Sequence, residues 1–386
     1  MSTAESTSLV VIGGGVAGLS VAYEAASRGL DVTVLERDRA AGGAGHVAAG
    51  MLAPAAEAEA GDQGLMRLAI ESCHRYPGFV ERLERDSGVA CGYREEGSLL
   101  VALNRDHAEE LDRLAAFQGR FGLDVELLSA AEILGREPAI SSKAIGGLFA
   151  PGDRQVDPRK LQRALLAAIR RLGGTIIQHA RVDSLDTDGD RVRGVTFVRN
   201  GVEHELRAAS VVLAAGAWIS GLPVAAARSL PMRPIKGQIL RLRGRPIVSH
   251  VLRTPDVYLV PRRSGEIVVG ATAEDVGFDG RRTAGAALDL LREAFRLLPG
   301  VAELEFSEHN VGFRPALRDA LPAIGPLGPQ GLFVATGHYR HGVMLAPATA
   351  MMLVDWMVAG NVSPLLVPFE PSRFAALAAA GRGGVR

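Results

Sequence analysis

The chain has 386 residues, more than one compact core usually holds, so its length predicts two domains. Hydrophobic residues make up 47% and charged residues 22%, which is typical of globular proteins. The 43 basic residues balance the 43 acidic ones, which excludes a net field that would attract nucleic acid or an anionic membrane.

The cysteines and the apolar segments indicate the compartment. Cys73 and Cys91 form no CxxC pair, which argues against a disulfide framework and predicts a cytoplasmic protein. The N-terminus is polar and its first apolar run ends at three glycines, so we expect no export signal. The longest apolar stretch, residues 342–360, contains Pro347 and Asp355, which favours a core helix over a membrane span. No metal site is predicted.

A β-α-β unit opens the chain. Residues 9–12 form a short apolar run, residues 16–26 follow a helical pattern that Gly29 closes, and residues 31–35 form a second apolar run. These patterns predict a buried strand, a helix and a second buried strand.

The turn between the first strand and the helix carries the pattern Gly13-x-Gly15-x-x-Gly18. In this context Gly13 permits a tight turn, Gly15 lets the backbone approach a pyrophosphate, and Gly18 lets helix and strand pack closely. The helix N-terminus then faces the phosphates. Glu36, at the end of the second strand, would accept hydrogen bonds from the ribose hydroxyls and repel a 2′-phosphate, which argues against NADP. The motif predicts a dinucleotide but does not separate FAD from NAD.

The next hundred residues are mainly helical. Residues 40–60 are rich in alanine and glycine, and their small side chains predict a segment that lies outside the core and close to a ligand. Helical patterns follow at residues 63–86, 106–121 and 158–172.

Beyond residue 172 the pattern alternates, as in strands. Asn200-Gly201 predicts a two-residue hairpin turn between residues 192–198 and 202–206. Further strands are predicted at residues 211–216, 237–242, 257–260, 267–271 and 333–336, and a helix from about residue 342. The chain is therefore expected to leave the nucleotide domain, build a mixed sheet, and return.

Four segments carry a family resemblance: AAGMLAP at 48–54, VDPRKL at 156–161, YLVPR at 258–262 and GHYRHGVMLAP at 337–347. Through them the chain resembles, over nearly its whole length, the glycine oxidases of the ThiO type, within the D-amino-acid oxidase and sarcosine oxidase superfamily. The resemblance implies an α/β fold in which an FAD-binding Rossmann-type domain is interleaved with a mixed-sheet substrate domain. The predicted FAD-binding domain comprises residues 1–90, 155–222 and 312–372, the substrate domain residues 91–154 and 223–311, and a C-terminal tail residues 373–386.

The resemblance implies FAD as the cofactor. Covalent sarcosine oxidases have a flavin-linked cysteine where residues 314–325 of this chain have none, so the FAD is expected to be non-covalent. In the glycine-flanked turn at 337–342, N–H groups at a helix N-terminus would face the flavin edge that becomes negative on reduction. The residues expected to contact FAD are Gly13, Gly14, Gly15, Val16, Ala17, Gly18, Glu36, Arg37, Ala44, Gly45, Gly50, Met51, Val182, Ala215, Gly216, Trp218, Gly337, His338, Tyr339, Arg340, His341, Gly342, Val343 and Met344. Some relatives have hydroxyl residues where this chain has Ala44 and Gly45, so the contacts to FAD there are expected to come from backbone N–H groups and to hold it less tightly.

The resemblance assigns substrate binding to four residues. Arg314 would grip a carboxylate with two parallel donors, and the proline after it holds it extended and opposite to Phe313. Tyr258 would give a second hydrogen bond to the carboxylate, Arg340 would approach the carboxylate or the flavin, and Met51 would line the pocket or pack in the core.

The implied reaction is oxidation of glycine to its imine, which hydrolyses to glyoxylate and ammonia, while oxygen becomes hydrogen peroxide. With the amine neutral, no protein base is required, so His338 and His341 are expected to be turn residues. Ala273 replaces a methionine of some relatives, which predicts a pocket that also admits sarcosine or small D-amino acids. The resemblance further implies a role in thiamine biosynthesis and a homo-oligomer, a tetramer.

Three alternatives remain open from the residues. A D-amino-acid or sarcosine dehydrogenase that passes electrons to a quinone would share nearly every motif. A non-catalytic flavin-binding subunit would keep the cofactor motifs alone, and an NAD-dependent dehydrogenase would need only the first of them.

Overall fold

The computed structural model describes residues 5–57 and 63–374, whose strands form two eight-stranded sheets and one two-stranded sheet. The first sheet contains β1 (Glu5–Ile12), β2 (Val32–Glu36), β8 (Thr175–Gln178), β9 (Ala180–Asp188), β10 (Arg191–Arg199), β11 (Val202–Leu213), β17 (Ala323–Pro326) and β18 (Leu332–Thr336). The second sheet contains β4 (Ser98–Ala102), β5 (Glu126–Ser129), β6 (Gly146–Ala150), β12 (Met232–Arg243), β13 (Val251–Arg253), β14 (Tyr258–Pro261), β15 (Glu266–Gly270) and β16 (Glu305–Leu317). The small sheet pairs β3 (Met51–Leu52) with β7 (Arg154–Gln155).

The α-helices of the described residues connect and cover these sheets. They are α1 (Val16–Ser27), α2 (Ala44–Val47), α3 (Gln63–Ser87), α4 (Arg105–Gly119), α5 (Ala130–Arg136), α6 (Pro158–Arg171), α7 (Ala284–Leu297) and α8 (Gly342–Ala359). Short 3-10 helices lie at Gly216–Gly221, Ala225–Ser229, Pro299–Glu303, Val367–Phe369 and Pro371–Phe374.

The first sheet confirms the predicted β-α-β unit. Its strand order is β17-β18-β11-β1-β2-β8, and β1 is parallel to both β2 and β11. Ile12 pairs with Leu35 on one side and Leu213 on the other, so three strand ends meet at one point. Because the next strand in the chain, β2, lies on one side of β1 and the later strand β11 lies on the other, this point is a topological switch, where α/β proteins bind ligands.

Side chains alternate between the two faces of the first sheet. Leu9 and Val11 pack against α1, α3, α6 and α8, while Val10 and Ile12 pack on the opposite face with residues of β9, β10 and β11. The predicted hairpin is present, with Asn200 and Gly201 both at positive φ. Two of the predicted strands are one, because β11 runs unbroken from Val202 to Leu213.

The second sheet is mixed, with order β16-β12-β15-β14-β13-β4-β6-β5. Neighbouring strands are antiparallel except β13 and β4. The long strands β12 and β16 pair from Met232–Leu317 to Arg243–Glu305, which sets Arg314 beside Ile235. The predicted domain boundary at residue 312 falls inside β16, and of the predicted tail only residues 373 and 374 are among those described. The domain division stays a prediction.

The alanine-rich segment 40–60 differs from its prediction. Its described residues include α2 and β3, and its residues buried in the core include Ala49, Met51, Leu52, Ala53, Ala55 and Ala56. Most of these six pack against Leu100, Ile239 and Val260 of the second sheet. Small side chains let this backbone lie close to the sheet, so here they mark a tightly packed core rather than its absence. Residues 58–60 lie outside the described part of the chain.

The Asp153 side chain holds this segment in place through hydrogen bonds. The buried carboxylate accepts hydrogen bonds from the N–H groups of Ala55 and Ala56, both at 3.1 Å. Burial raises the pKa of Asp153 to about 7, against the lowering effect of these hydrogen bonds. The folded protein therefore takes up a proton at this position between about pH 4 and pH 7, where an unfolded aspartate is ionised.

We expect Asp153 to make unfolding pH-dependent. A raised pKa in the folded state contributes stability below the unfolded pKa that is lost as pH rises toward 7. The free energy of unfolding should thus fall between pH 4 and pH 7 by an amount on the order of a few kcal/mol. Urea unfolding of the wild type and of Asp153→Asn across this range measures it. If the free energy of unfolding changed with pH equally in both proteins, another group would be responsible.

Helix α8 is fixed by α3 near its N-terminus. Pro347 has no N–H, so the carbonyl of Val343 loses its helical partner and accepts from the Tyr76 hydroxyl at 2.9 Å. The Ser72 hydroxyl donates to the Met344 carbonyl at 2.6 Å. Among the described helices α8 alone is long and apolar enough to cross a membrane, but 61% of it is buried inside the protein. These contacts hold the first turn of α8 against the rest of the protein.

Candidate active site

The three glycines of the first turn have different surroundings. At Gly13, where φ is 117°, an added Cβ would collide with the Ala214 carbonyl at the end of β11, and at Gly18 it would collide with the Gly13 carbonyl. At Gly15 an added Cβ would meet no atom within 4 Å. Gly13 and Gly18 are thus required by packing, whereas the open space at Gly15 fits the approach of a phosphate.

Glu36 lies against this turn. Its Oε2 accepts a hydrogen bond from the Gly14 N–H at 2.7 Å, and its Oε1 accepts from the Asp38 N–H at 2.8 Å. The carboxylate is therefore held rigidly at the end of β2 with further acceptor capacity. This is the position from which the predicted ribose contact would be made.

Among the α-helices whose N-cap residue the structure describes, three begin without a side-chain cap. The N-cap residues of α1, α2 and α8 are Gly15, Gly43 and His341, and none of them accepts a hydrogen bond from its helix. The N-termini of α4, α5, α6 and α7 are all capped, by Asn104, Ser129, Asp157 and Thr283. Uncapped first turns leave N–H groups for an electronegative ligand. A Cβ built on Gly342 would lie 3.9 Å from Val16 Cγ1, so α1 and α8 begin side by side.

The turn before α8, residues 337–341, is hydrogen-bonded to β16. The Tyr339 N–H donates to the Pro315 carbonyl at 3.0 Å, and Ala316 and His338 form a bridge. Tyr339 has a φ of 49°, which is uncommon for a residue with a side chain. His338 is buried, its Nε2 lies 3.1 Å from Thr349 Oγ1, and burial lowers its pKa to about 4. A neutral, internally bonded His338 fits the predicted turn residue.

Arg314 lies on β16 immediately before these contacts. Its Nη1 donates to the Thr272 carbonyl at 2.9 Å and more weakly, at 3.5 Å, to the Lys236 carbonyl. The guanidinium lies across Gly237, where an added Cβ would overlap it. Within the described residues only these two carbonyls accept hydrogen bonds from Arg314, so its remaining donors are left for a carboxylate.

Tyr258 lies on the same sheet. It pairs with Gly270, and a Cβ built there would collide with the phenol ring. Burial raises the pKa of Tyr258, while the positive charges of Arg314, Arg253 and Arg340 act to lower it. The phenol is therefore protonated at neutral pH and available as a hydrogen-bond donor. Its position near these cations brings the predicted substrate residues into one region.

Met51 and Arg340 complete the predicted set. Met51 is buried in a cluster against which Tyr258 packs. The Arg340 side chain is exposed, and its guanidinium carbon lies 5.0 Å from the centre of the Tyr339 ring. Met51 therefore lies against the second sheet, and Arg340 lies in the turn before α8.

Sequence reasoning missed two charged residues of this region. Arg253 pairs with Tyr258 across β13 and β14, so the two side chains share one face of the sheet. Glu57 lies 3.9 Å from Arg253 and 3.7 Å from His341 Nδ1. The alternation around Tyr258 could have indicated Arg253, but no local pattern indicates Glu57.

The other predicted cofactor residues lie around the first sheet. Arg37 follows β2, Ala44 and Gly45 begin α2, Gly50 precedes β3, Val182 lies in β9, and Ala215 and Gly216 follow β11. Trp218 stacks on Phe278 with ring centres 5.3 Å apart, contacts Phe313 edge-on, and lies under the Arg37 guanidinium. The Val182 side chain packs in the core, so a ligand contact there would come from its backbone.

Comparison with known proteins agrees with this geometry. Residues 8–356 match the model of the FAD dependent oxidoreductase (DAO) family. The bifunctional ThiO/ThiG protein of Trichormus variabilis is 38% identical over 371 residues, which cover 95% of this chain and 55% of that protein. The glycine oxidase of Geobacillus kaustophilus is 31% identical over 369 residues, 95% of this chain and 96% of that enzyme.

A solved structure extends the likeness to three dimensions. The crystal structure of glycine oxidase from Geobacillus kaustophilus superimposes with a TM-score of 0.88 at 30% identity, covering 96% of this chain and 99% of that one. The present chain spans about half the length of the ThiO/ThiG proteins but nearly all of the glycine oxidases. The predicted superfamily, fold class and FAD cofactor are confirmed, and the open space at Gly15 with the uncapped α1 and α8 fits that cofactor. The chain is therefore a member of the DAO family of FAD-dependent oxidoreductases.

Proposed function

We propose that this protein oxidises glycine to its imine with non-covalent FAD, and that the imine hydrolyses to glyoxylate and ammonia. The observation that carries the proposal is the Arg314 guanidinium, oriented by the Thr272 carbonyl on the sheet that also presents Tyr258. Support comes from relatives named glycine oxidase that match nearly all of this chain. When bound, FAD supplies the acceptor for the two electrons that leave the substrate Cα.

The protein's own residues bind and orient the substrate. Arg314 offers two parallel N–H donors to the carboxylate, and the protonated Tyr258 hydroxyl adds a third. Held at this end, the amino acid presents its Cα in one orientation, and such positioning lowers the barrier without a protein base. His338 has its pKa lowered to about 4 by burial and is bonded inside the protein, which leaves it no part in proton transfer.

The biological setting is part of the proposal. Oxygen is the proposed electron acceptor, and the imine is proposed to enter the thiazole branch of thiamine biosynthesis, which the ThiO/ThiG relatives support. A cytoplasmic location and a homotetramer remain predictions. Size-exclusion chromatography with light scattering tests the oligomer.

Anaerobic addition of glycine to the purified holoprotein tests the reaction itself. Loss of the flavin absorbance within seconds, followed by hydrogen peroxide when air is admitted, is the expected result. Bleaching without peroxide, but with reduction of a quinone analogue, would make the protein a dehydrogenase. A flavin that glycine, sarcosine and D-alanine all fail to bleach would contradict the proposal and indicate a non-catalytic subunit.

We expect sarcosine to be a substrate as well, with D-alanine weaker. Ala273 is exposed and directly follows Thr272, whose carbonyl orients Arg314, so a small side chain there leaves room beside the substrate. Ala273→Met should lower kcat/KM for sarcosine about tenfold more than for glycine, because one methyl group in a pocket is worth about 10- to 200-fold. Steady-state peroxide assays measure both. Wild-type protein that oxidises glycine without any sarcosine turnover would refute the prediction.

A further inference from the structure

A buried amide lies one strand away from Arg314. Gln238, on β12, has no exposed surface. Its Oε1 accepts from the Thr283 N–H at 3.0 Å and lies 2.9 Å from His309 Nε2. Its Nε2 donates to Glu274 Oε1 at 2.8 Å and to Thr283 Oγ1 at 3.1 Å. Both donors and both acceptor positions of the amide are thus occupied.

The same residue fixes Thr272. The Gln238 N–H donates to Thr272 Oγ1 at 2.9 Å, and the Thr272 N–H donates to the Gln238 carbonyl at 3.2 Å. Thr272 Oγ1 in turn donates to Glu274 Oε1 at 2.6 Å, the oxygen that the Gln238 amide also contacts. Three hydrogen bonds therefore fix Thr272 through its N–H and its hydroxyl. The carbonyl of the same residue accepts from Arg314.

A buried cation balances the carboxylate of this network. Lys236, two residues earlier on β12, lies with its Nζ 3.3 Å from Glu274 and 3.8 Å from Asp279. The Lys236 side chain is 1% exposed, and its charge balances that of Glu274, whose other oxygen accepts from Gln238. The Lys236 carbonyl is also the second acceptor of Arg314. A fully satisfied polar network of this kind specifies one arrangement of its members.

We propose that Gln238 is a positioning residue for substrate binding: it fixes the Thr272 carbonyl, and through it the plane of the Arg314 guanidinium, without touching the substrate. The inference rests on the proposed role of Arg314. A bidentate grip requires the two N–H groups to lie in the plane of the carboxylate, so a rotation of the guanidinium weakens it.

Gln238→Leu tests the proposal by removing the amide at similar volume. It frees Glu274, which also accepts from the Thr272 hydroxyl, while the backbone hydrogen bonds between position 238 and Thr272 remain. The dissociation constant of acetate, measured by its effect on the flavin spectrum of the holoprotein, should rise about tenfold, since a displacement of about 1 Å can cost up to 100-fold. The KM for glycine should rise in parallel while kcat changes by less than about threefold, as expected when binding common to ground and transition states is lost. The FAD affinity should be unchanged.

Exchanging the side chains of Gln238 and Glu274 distinguishes a positioning role from a purely structural one. Gln238→Glu alone places two carboxylates at the 2.8 Å contact and should weaken acetate binding further than Gln238→Leu. The double variant Gln238→Glu with Glu274→Gln keeps the total charge and reverses both hydrogen bonds of Glu274 Oε1: the new amide at position 274 would donate to the new carboxylate at position 238 and to Thr272 Oγ1, which becomes the acceptor. Acetate affinity in the double variant should return to within about threefold of wild type, because the pair is coupled.

Glu137→Gln, at the end of α5, is the matched control. Glu137 is buried and accepts from the N–H groups of Ser249 and His250, away from Arg314, so its loss should lower the melting temperature without changing acetate affinity. Wild-type acetate affinity in Gln238→Leu, with affinity lost in Arg314→Ala, would overturn this inference and leave the proposed function standing. Unchanged affinity in Arg314→Ala would overturn the proposed function as well. A double variant that stays as weak as Gln238→Glu would show a structural role only.

Discussion

Arg314→Ala should raise the KM for glycine and the dissociation constant of acetate by about 100-fold or more, the cost of leaving a buried carboxylate without its charged partner. FAD affinity should change by less than about threefold, because the hydrogen bonds of Arg314 go to the Thr272 and Lys236 carbonyls. Titration of the flavin absorbance with acetate, beside FAD reconstitution of the apoprotein, measures the two effects separately.

Two further variants define what Arg314 contributes. Arg314→Lys keeps the charge but loses the parallel donors, so its acetate affinity should lie between those of wild type and Arg314→Ala. Arg233→Ala removes an exposed arginine of β12 that pairs with Asp275, and it should leave glycine kinetics unchanged. The neighbouring Pro315 carbonyl holds the turn before α8, so the alternative is that Arg314 serves the fold rather than the substrate. Equal losses of FAD and acetate affinity would establish that role instead.

The first turn was predictable because its requirements are local. Gly18 faces the Gly13 carbonyl five residues earlier, and Glu36 accepts from the Gly14 N–H within the same β-α-β unit. A short sequence pattern can encode such contacts, since helix, strand and turn are adjacent in the chain.

The segment 40–60 was not predictable in this way. Whether Ala53 or Ala55 is buried depends on the second sheet, whose strands come later in the chain, from Ser98 to Leu317. Composition alone suggested exposure, and tertiary packing decided otherwise. Glu57 was not predictable either, because its contacts with Arg253 and His341 join distant parts of the chain.

Two glycines inside strands indicate the proposed substrate site, although they belong to no motif. Gly237 lies beneath the Arg314 guanidinium, and Gly270 lies beneath the Tyr258 ring. An isolated glycine inside a strand often marks the close approach of another group. Here each glycine marks the strand neighbour of a proposed substrate residue, so strand pairing and the two glycines together would have indicated the site.

One strand connects the two halves of the site. β16 carries Arg314, and its next two residues, Pro315 and Ala316, hold Tyr339 and His338 in the turn before α8. The helix is anchored independently by Ser72 and Tyr76 of α3. The proposed carboxylate-binding guanidinium and the uncapped N–H groups of α8 are therefore fixed relative to each other, which is the preorganisation that the proposed oxidation at one carbon requires.

Gly15→Val should abolish FAD binding, with a loss of affinity of at least about 100-fold, because the added side chain would fill the space through which the backbone approaches the pyrophosphate. The apoprotein should fold normally. Gly15 has a φ of −81° and a ψ of 177°, which any residue adopts, and its Cβ would meet no atom within 4 Å. Quenching of flavin fluorescence during reconstitution, and the melting temperature of the apoprotein, measure the two properties.

Two other glycine variants make this result interpretable. Gly285→Val, on α7, also adds a side chain that meets no atom within 4 Å, and it should bind FAD as the wild type does. Gly18→Val should lower the melting temperature of the apoprotein, because its Cβ collides with the Gly13 carbonyl. If Gly15→Val took up FAD with wild-type affinity, the phosphates could not lie over this turn, and the uncapped N-terminus of α1 would need another explanation.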